Sequence, residues 1–175
     1  MKKTIIVFLI SLFFSCSTND SEEFVNQEIL GIYQIESFTS SESADLNEDG
    51  ISNGNFKSEL LEYFYEIPLK ISELPEHDPF DLLFAIYLPY PNEIVDKPYG
   101  HLLYDLYALF KRVYFKNGTL NIHENDLNFE DKIIFQNFEL ISNSKIEISL
   151  RMKLYDFENL EWKNYNCKIL YIKTE

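Results

Sequence analysis

The sequence predicts a mostly β protein: an antiparallel up-and-down meander of about eight strands, closed as a small barrel or strongly curved sheet, with one short helix. Three observations carry this. Apolar and polar residues alternate through most of the second half of the chain. Asn117-Gly118, the strongest short hairpin signal, stands between two such alternating runs. Three more runs, roughly 132–142, 145–155 and 160–173, are separated only by Ser142-Asn143-Ser144 and by Asp156 to Asn159. No internal repeat or composition break divides residues 29–175, which are expected to form a single domain.

Taken in order, Ile29 to Ser40 reads as the first strand, with Tyr33, Ile35 and Ser37 on one face and Ile32, Gln34, Glu36 and Phe38 on the other. An acidic loop follows. "NFKSELLEYFYE" then spaces Phe56, Leu60, Leu61 and Phe64 three or four apart, which predicts a short amphipathic helix; Tyr63 to Ile67 suits either helix or strand. "IPLKISEL" predicts a strand ended by Pro75. Leu82 to Leu88 is nearly continuous in apolar residues. Bounding prolines at 79, 89, 91 and 98 limit it to a strand of about eight residues. "LYALFKRVYFKNGTLNIHE" supplies both arms of the Asn-Gly hairpin.

Ahead of the domain, Lys2 and Lys3 precede an apolar run from Thr4 to Phe14, too short to span a bilayer permanently and suited to a secretory signal. The run stops at Ser15-Cys16, which resembles the lipobox of bacterial lipoproteins, although Phe13 stands where Leu is usual. That resemblance implies cleavage after residue 15 and a diacylglyceryl group on Cys16. The competing reading is an ordinary signal peptide that contains a cysteine. Residues 16–28 are polar and acidic, as a tether should be. Asp20, Glu22 and Glu23 are similar to the export signal that carries Bacteroidota lipoproteins to the outer face of the outer membrane. The resemblance thus implies an outer-membrane, lipid-anchored protein facing the exterior, with the periplasmic face as the alternative.

Loss of residues 1–15 leaves 13 basic against 29 acidic side chains, a formal charge of −16. Such a surface repels phosphate backbones and anionic headgroups, so nucleic acid is excluded as a partner and only the anchor should touch lipid. With Cys16 acylated, Cys167 is the one remaining thiol. The alternating "YNCKILYI" places it on one face of a strand, and burial is its expected state.

"ADLNEDGISNG" carries oxygen donors at alternate positions around an Asp-Gly step. Asp45, Asn47, Asp49, Gly50, the Ile51 carbonyl and Asn53 meet the requirements at positions 1, 3, 5, 6, 7 and 9 of an EF-hand-type calcium loop, although position 8, normally a branched apolar residue, is Ser52. Position 12 is Phe56, so the closing acid is missing unless Glu59 supplies it. A structural calcium ion is one reading; an Asx-rich loop that caps its own backbone is the other. Together, Gly31, Tyr33 and Ile35, this loop and Glu59 resemble the lipocalin-like lipoproteins of Bacteroidota. Membership implies an eight-stranded barrel and no defined ligand or reaction. Where that family often has a cysteine after the helix acid, this chain has Leu60-Leu61-Glu62.

His77, His101 and His123 lack zinc spacing, and His123 reads as the solvated exit of the hairpin. No nucleophile elbow, phosphate loop or metalloprotease motif occurs, so no catalytic residues are assigned and the protein is expected not to be an enzyme. Tyr87, Tyr90, Tyr99 and Tyr104 lie in a proline–aromatic segment suited to a ligand or partner surface, although strand cores also demand such rings. The leading expectation is a binding module for a small apolar or glycan ligand. The second is an accessory subunit that docks a partner protein through residues 79–104, and an envelope hydrolase is the third.

Overall fold

A computed structural model describes residues 28–60, 68–74, 81–91, 104–116, 119–123 and 133–174. The predicted signal, Cys16, the tether up to residue 27, the 61–67 segment, His77, Tyr99, His101 and the Asn117-Gly118 turn lie outside them. Eight antiparallel strands form one sheet: β1 (Gly31–Ser40), β2 (Leu69–Glu73), β3 (Asp81–Pro91), β4 (Tyr104–Lys116), β5 (Thr119–Ile122), β6 (Ile133–Ser142), β7 (Lys145–Asp156) and β8 (Glu161–Lys173). The helix α1 (Phe56–Glu59) follows the acidic loop.

Neighbour order is β5-β4-β3-β2-β1-β8-β7-β6. The first strand therefore pairs with the last, and the seam of the barrel falls between β5 and β6. Those two approach within 8 Å (Cα–Cα) with no ladder among the described residues. This is the predicted meander, nearly closed. β6, β7 and β8 start and stop within a residue of their predicted bounds, because their alternation is unbroken and their turns are polar.

Strand alternation builds the interior. Along β7, Ile146, Ile148, Leu150, Met152 and Leu154 are fully buried, and they register opposite Tyr171, Ile169, Cys167, Tyr165 and Lys163 of β8. The first four are inner-face pairs, apolar against apolar; the last sets Leu154 beside an exposed lysine at the barrel rim. Lys111 also faces inward, in the row of Leu109 and Val113, and its Nζ lies 5.6 Å from the centre of the Phe135 ring. β3 and β7 are not sheet neighbours, yet they come within 8 Å of each other (Cα–Cα), closer than the usual 10 Å between packed sheets. At that point two strands from opposite sides of the barrel come close across its interior.

Two strands depart from their predicted form. β1 does not alternate strictly, since Tyr33 and Phe38 are both fully buried although they stand on opposite faces of an ideal strand. A register shift between Ile35 and Ser37 adds one residue and returns Phe38 to the core. Lys57 of α1 holds this bulge by donating to the Ile35 and Glu36 carbonyls at 2.8 and 3.0 Å. β3 runs eleven residues to Pro91, where about eight were predicted. Among the described residues its register with β2 ends at Ile86, while that with β4 continues through Pro89 to Pro91 and carries the strand past both prolines. The helix is also shorter than its pattern, four described residues.

Two buried tyrosines differ in one respect. The Tyr33 hydroxyl donates to the Ile29 carbonyl at 2.7 Å, and burial pushes its pKa up to about 12. The Tyr171 hydroxyl is buried beside it in the sheet and has no partner among the described residues; burial raises its pKa too. Tyr171→Phe should therefore leave stability unchanged or raise it by up to ~1 kcal/mol, whereas Tyr33→Phe should lower it by about 1 kcal/mol. Parallel urea melts of the two variants check this contrast.

Candidate functional site

One end of the barrel is capped by the segment between β1 and α1. Ala44, Leu46, Phe56 and Leu60 are fully buried there. The Phe56 ring stands edge-on to Phe38 at 5.7 Å and to Tyr165 at 5.3 Å, which fixes the helix over the core. An Ala44–Asn53 bridge folds the segment back on itself. Ser40 N–H donates to the Gly54 carbonyl at 2.9 Å, and a Cβ on Gly54 would stand 3.0 Å from the Ser40 oxygen, so a side chain there would press the two backbones apart by a few tenths of an ångström. Gly50 makes the turn with φ +79°, in the left-handed region that glycine tolerates.

The acidic side chains converge under this cap. Asp45 and Glu59 are 2 % and 5 % exposed, while Asp49 lies at the surface. One carboxylate oxygen from each of the three lies within 4.8 Å of the others. Glu59 Oε2 accepts from Leu46 N–H (3.2 Å), Asp45 Oδ2 from Gly50 N–H (3.0 Å), and Asp49 Oδ1 from Ile51 N–H (2.8 Å). Burial holds the Glu59 carboxyl above its ordinary range; the Leu46 N–H opposes this, and the charges of Asp49 and Asp45 add to it.

The remaining predicted ligands serve the loop itself. Asn47 Oδ1 accepts from Asp49 N–H at 3.1 Å, and Asn53 Oδ1 from Asn55 N–H at 2.9 Å, both Asx turns. Ile51 is two-thirds exposed. The amides and Asp49 thus cap backbone, as the second reading expects, while the three carboxylates lie close together.

Sequence spacing missed what ties this loop to the barrel. Asp156, at the end of β7, is 1 % exposed. It accepts from Asp45 N–H (3.3 Å), Glu158 N–H (3.1 Å), Asn159 Nδ2 (2.7 Å) and the Tyr165 hydroxyl (3.2 Å). Phe157 N–H donates back to the Asp45 carbonyl at 2.8 Å, and Ser52 donates to Glu158. Burial pushes the Asp156 carboxyl up, but the hydrogen bonds from Asn159, Asp45, Tyr165 and Glu158 outweigh it and hold the group below its usual value. Asp45 and Asp156 are 111 positions apart, so no local pattern announces the pair.

A second pair lies on the outer wall. His123 Nε2 sits 2.9 Å from Asp81 Oδ1, and the imidazole packs on Tyr114 at 4.6 Å. The expectation of a solvated His123 is thereby corrected: Asp81 is 7 % exposed and its carboxylate needs that partner. Among the described residues no hydroxyl or thiol is hydrogen-bonded to His123, so the pair offers an acid–base couple with no nucleophile attached.

Of the predicted aromatic surface, Tyr87 is half-buried on the outward row of β3 and Tyr104 opens β4. Tyr90 is 7 % exposed and tilts against Tyr107 at 5.9 Å, so it belongs to the interior row. Comparison with protein-family models, curated proteins and solved structures returned no match.

Because the Asp156 pKa is lowered on folding, its stabilisation is complete above the ordinary carboxylate value and is lost as pH falls through the lower, folded value. Asp156→Asn should lower stability by about 2 kcal/mol at neutral pH and blunt the loss of stability below about pH 4. Urea unfolding repeated across a pH series measures both effects.

Proposed function

We propose that this protein is a non-enzymatic, surface-anchored lipoprotein whose barrel engages a partner protein on its outer wall. The single observation that supports this over an internal ligand site is the packed interior. Tyr33, Phe38, Phe56, Phe84, Tyr165 and Tyr171 are fully buried within it, and β3 meets β7 across it. An apolar ligand would have to displace such rings, at about 3–5 kcal/mol for each aromatic packing site lost.

The outer wall supplies a fitting surface. Ala85 and Tyr87 of β3 register opposite Phe110 and Ala108 of β4, which makes a short outward apolar row, and the Phe110 ring is half exposed. An exposed ring on a strand is typical of interface centres. The chain's charge of −14 favours a partner whose rim is basic. Anchoring through Cys16 would hold this wall within reach of other envelope proteins. No helix among the described residues is long and apolar enough to cross a membrane.

A photo-crosslinking residue at position 110, expressed in the native membrane, should give a discrete protein adduct. The same residue at exposed Glu139 should not, and Tyr87→Ser should abolish the position-110 adduct. Native mass spectrometry that finds a tightly held lipid or glycan, with no adduct at 110, would return the function to the barrel interior. Labelled palmitate should enter the wild-type chain and fail to enter Cys16→Ala.

A further inference from the structure

The geometry points to a calcium site formed by the carboxylates of Asp45, Asp49 and Glu59 under the cap of the barrel. Two independent observations carry it. The first is convergence, with three acidic oxygens within 4.8 Å and two of the side chains buried. The second is an orphan: Asp45 Oδ1 is buried and has no hydrogen-bond donor, although Asp45 is one of the clustered carboxylates. A buried carboxylate oxygen with no partner is costly, and a cation is the partner that also relieves the repulsion among three acids.

The hydrogen bonding prepares the site. Each carboxylate commits one oxygen to a backbone N–H: Asp45 Oδ2 to Gly50, Asp49 Oδ1 to Ile51 and Glu59 Oε2 to Leu46. Among the described residues, that leaves Asp45 Oδ1, Asp49 Oδ2 and Glu59 Oε1 with no backbone donor. Asp49 Oδ2 takes only the Asn47 amide, at 3.2 Å. The donors are fixed by main chain while their second oxygens stay available, which is how preorganised metal ligands are held.

An all-oxygen, triply negative set favours a hard cation over zinc, whose sites are built mostly around histidine nitrogen and cysteine sulfur. Magnesium requires near-ideal octahedral geometry, whereas calcium accepts the irregular placement that two separate backbone segments impose. Exposed Asp49 leaves one side open to solvent, from which water completes the shell. An affinity of ~10⁻⁴–10⁻³ M fits an extracellular module. The ion would join the acidic loop to α1, and Asp156 already joins that loop to β7, so one cation would brace three elements. This inference is independent of the docking proposal.

The test uses the full chain in detergent, stripped with a chelator and titrated with calcium chloride or magnesium chloride by calorimetry and thermal melting. One calcium per chain should bind and raise the melting temperature, and magnesium should do so less. Asp49→Asn and Glu59→Gln keep the acceptors for Ile51 and Leu46 N–H. Each should weaken calcium by about tenfold or more, whereas Glu42→Gln, an exposed acid at the same end, should not. Absence of saturable binding, an equal response to magnesium, or equal weakening in Glu42→Gln overturns the assignment. So does a Glu59→Gln variant that melts higher and responds to calcium unchanged, the signature of a proton shared inside the cluster.

Discussion

Everything in this molecule depends on the ladder between β1 and β8. It joins the two ends of the domain, from Tyr33 opposite Lys173 to Ser40 opposite Cys167, and so converts a meander into a wall that returns on itself. Such pairing carries the largest loop-closure entropy of any contact in the chain, and it forms only because both strands bury alternating rings and aliphatic groups on one face. Once β1 and β8 are neighbours, the seam must fall elsewhere. It falls at β5, the shortest strand, four residues long.

Closure also dictates what happens at the capped end. β1 leaves the barrel where β7 turns into β8, so the segment after Ser40 runs directly over that turn. Asp156 uses the proximity by taking an N–H from Asp45 while it caps its own turn through Glu158 and Asn159. Lys57 reaches down the opposite side to the bulge in β1. The acidic cluster therefore sits on a platform fixed from both sides, which is why two carboxylates remain buried so near each other. The exposed Lys163–Glu42 pair at 2.5 Å adds little to this, since both partners are nearly half exposed.

Sequence periodicity located the strands well where residues alternate without interruption, as in β6 to β8, because period two is a local property. It failed where tertiary contacts changed the phase. Nothing in "IYQIESF" marks an extra residue at Glu36, and the group that binds its carbonyl, Lys57, stands twenty-one positions on. Pro89 and Pro91 read locally as terminators, yet β3 continues to Pro91 because its pairing with β4 extends that far, which is a fact of topology. Of the acidic cluster, Asp45, Asp49 and Glu59 were all visible from spacing, since that motif lies within fifteen residues. Asp156 and the Asp81–His123 pair were not, because each joins segments 42 to 111 positions apart.

Cys167 illustrates a last consequence of alternation. It occupies the inward row of β8, 1 % exposed, with Sγ 3.6 Å from the Tyr165 carbonyl, and burial pushes its pKa up to about 12. Almost none of it is thiolate at neutral pH, and no oxidant can reach it without unfolding the strand. Folding of this domain therefore need not wait on dithiol oxidases or isomerases. The finished wall is equally indifferent to the redox poise of its surroundings.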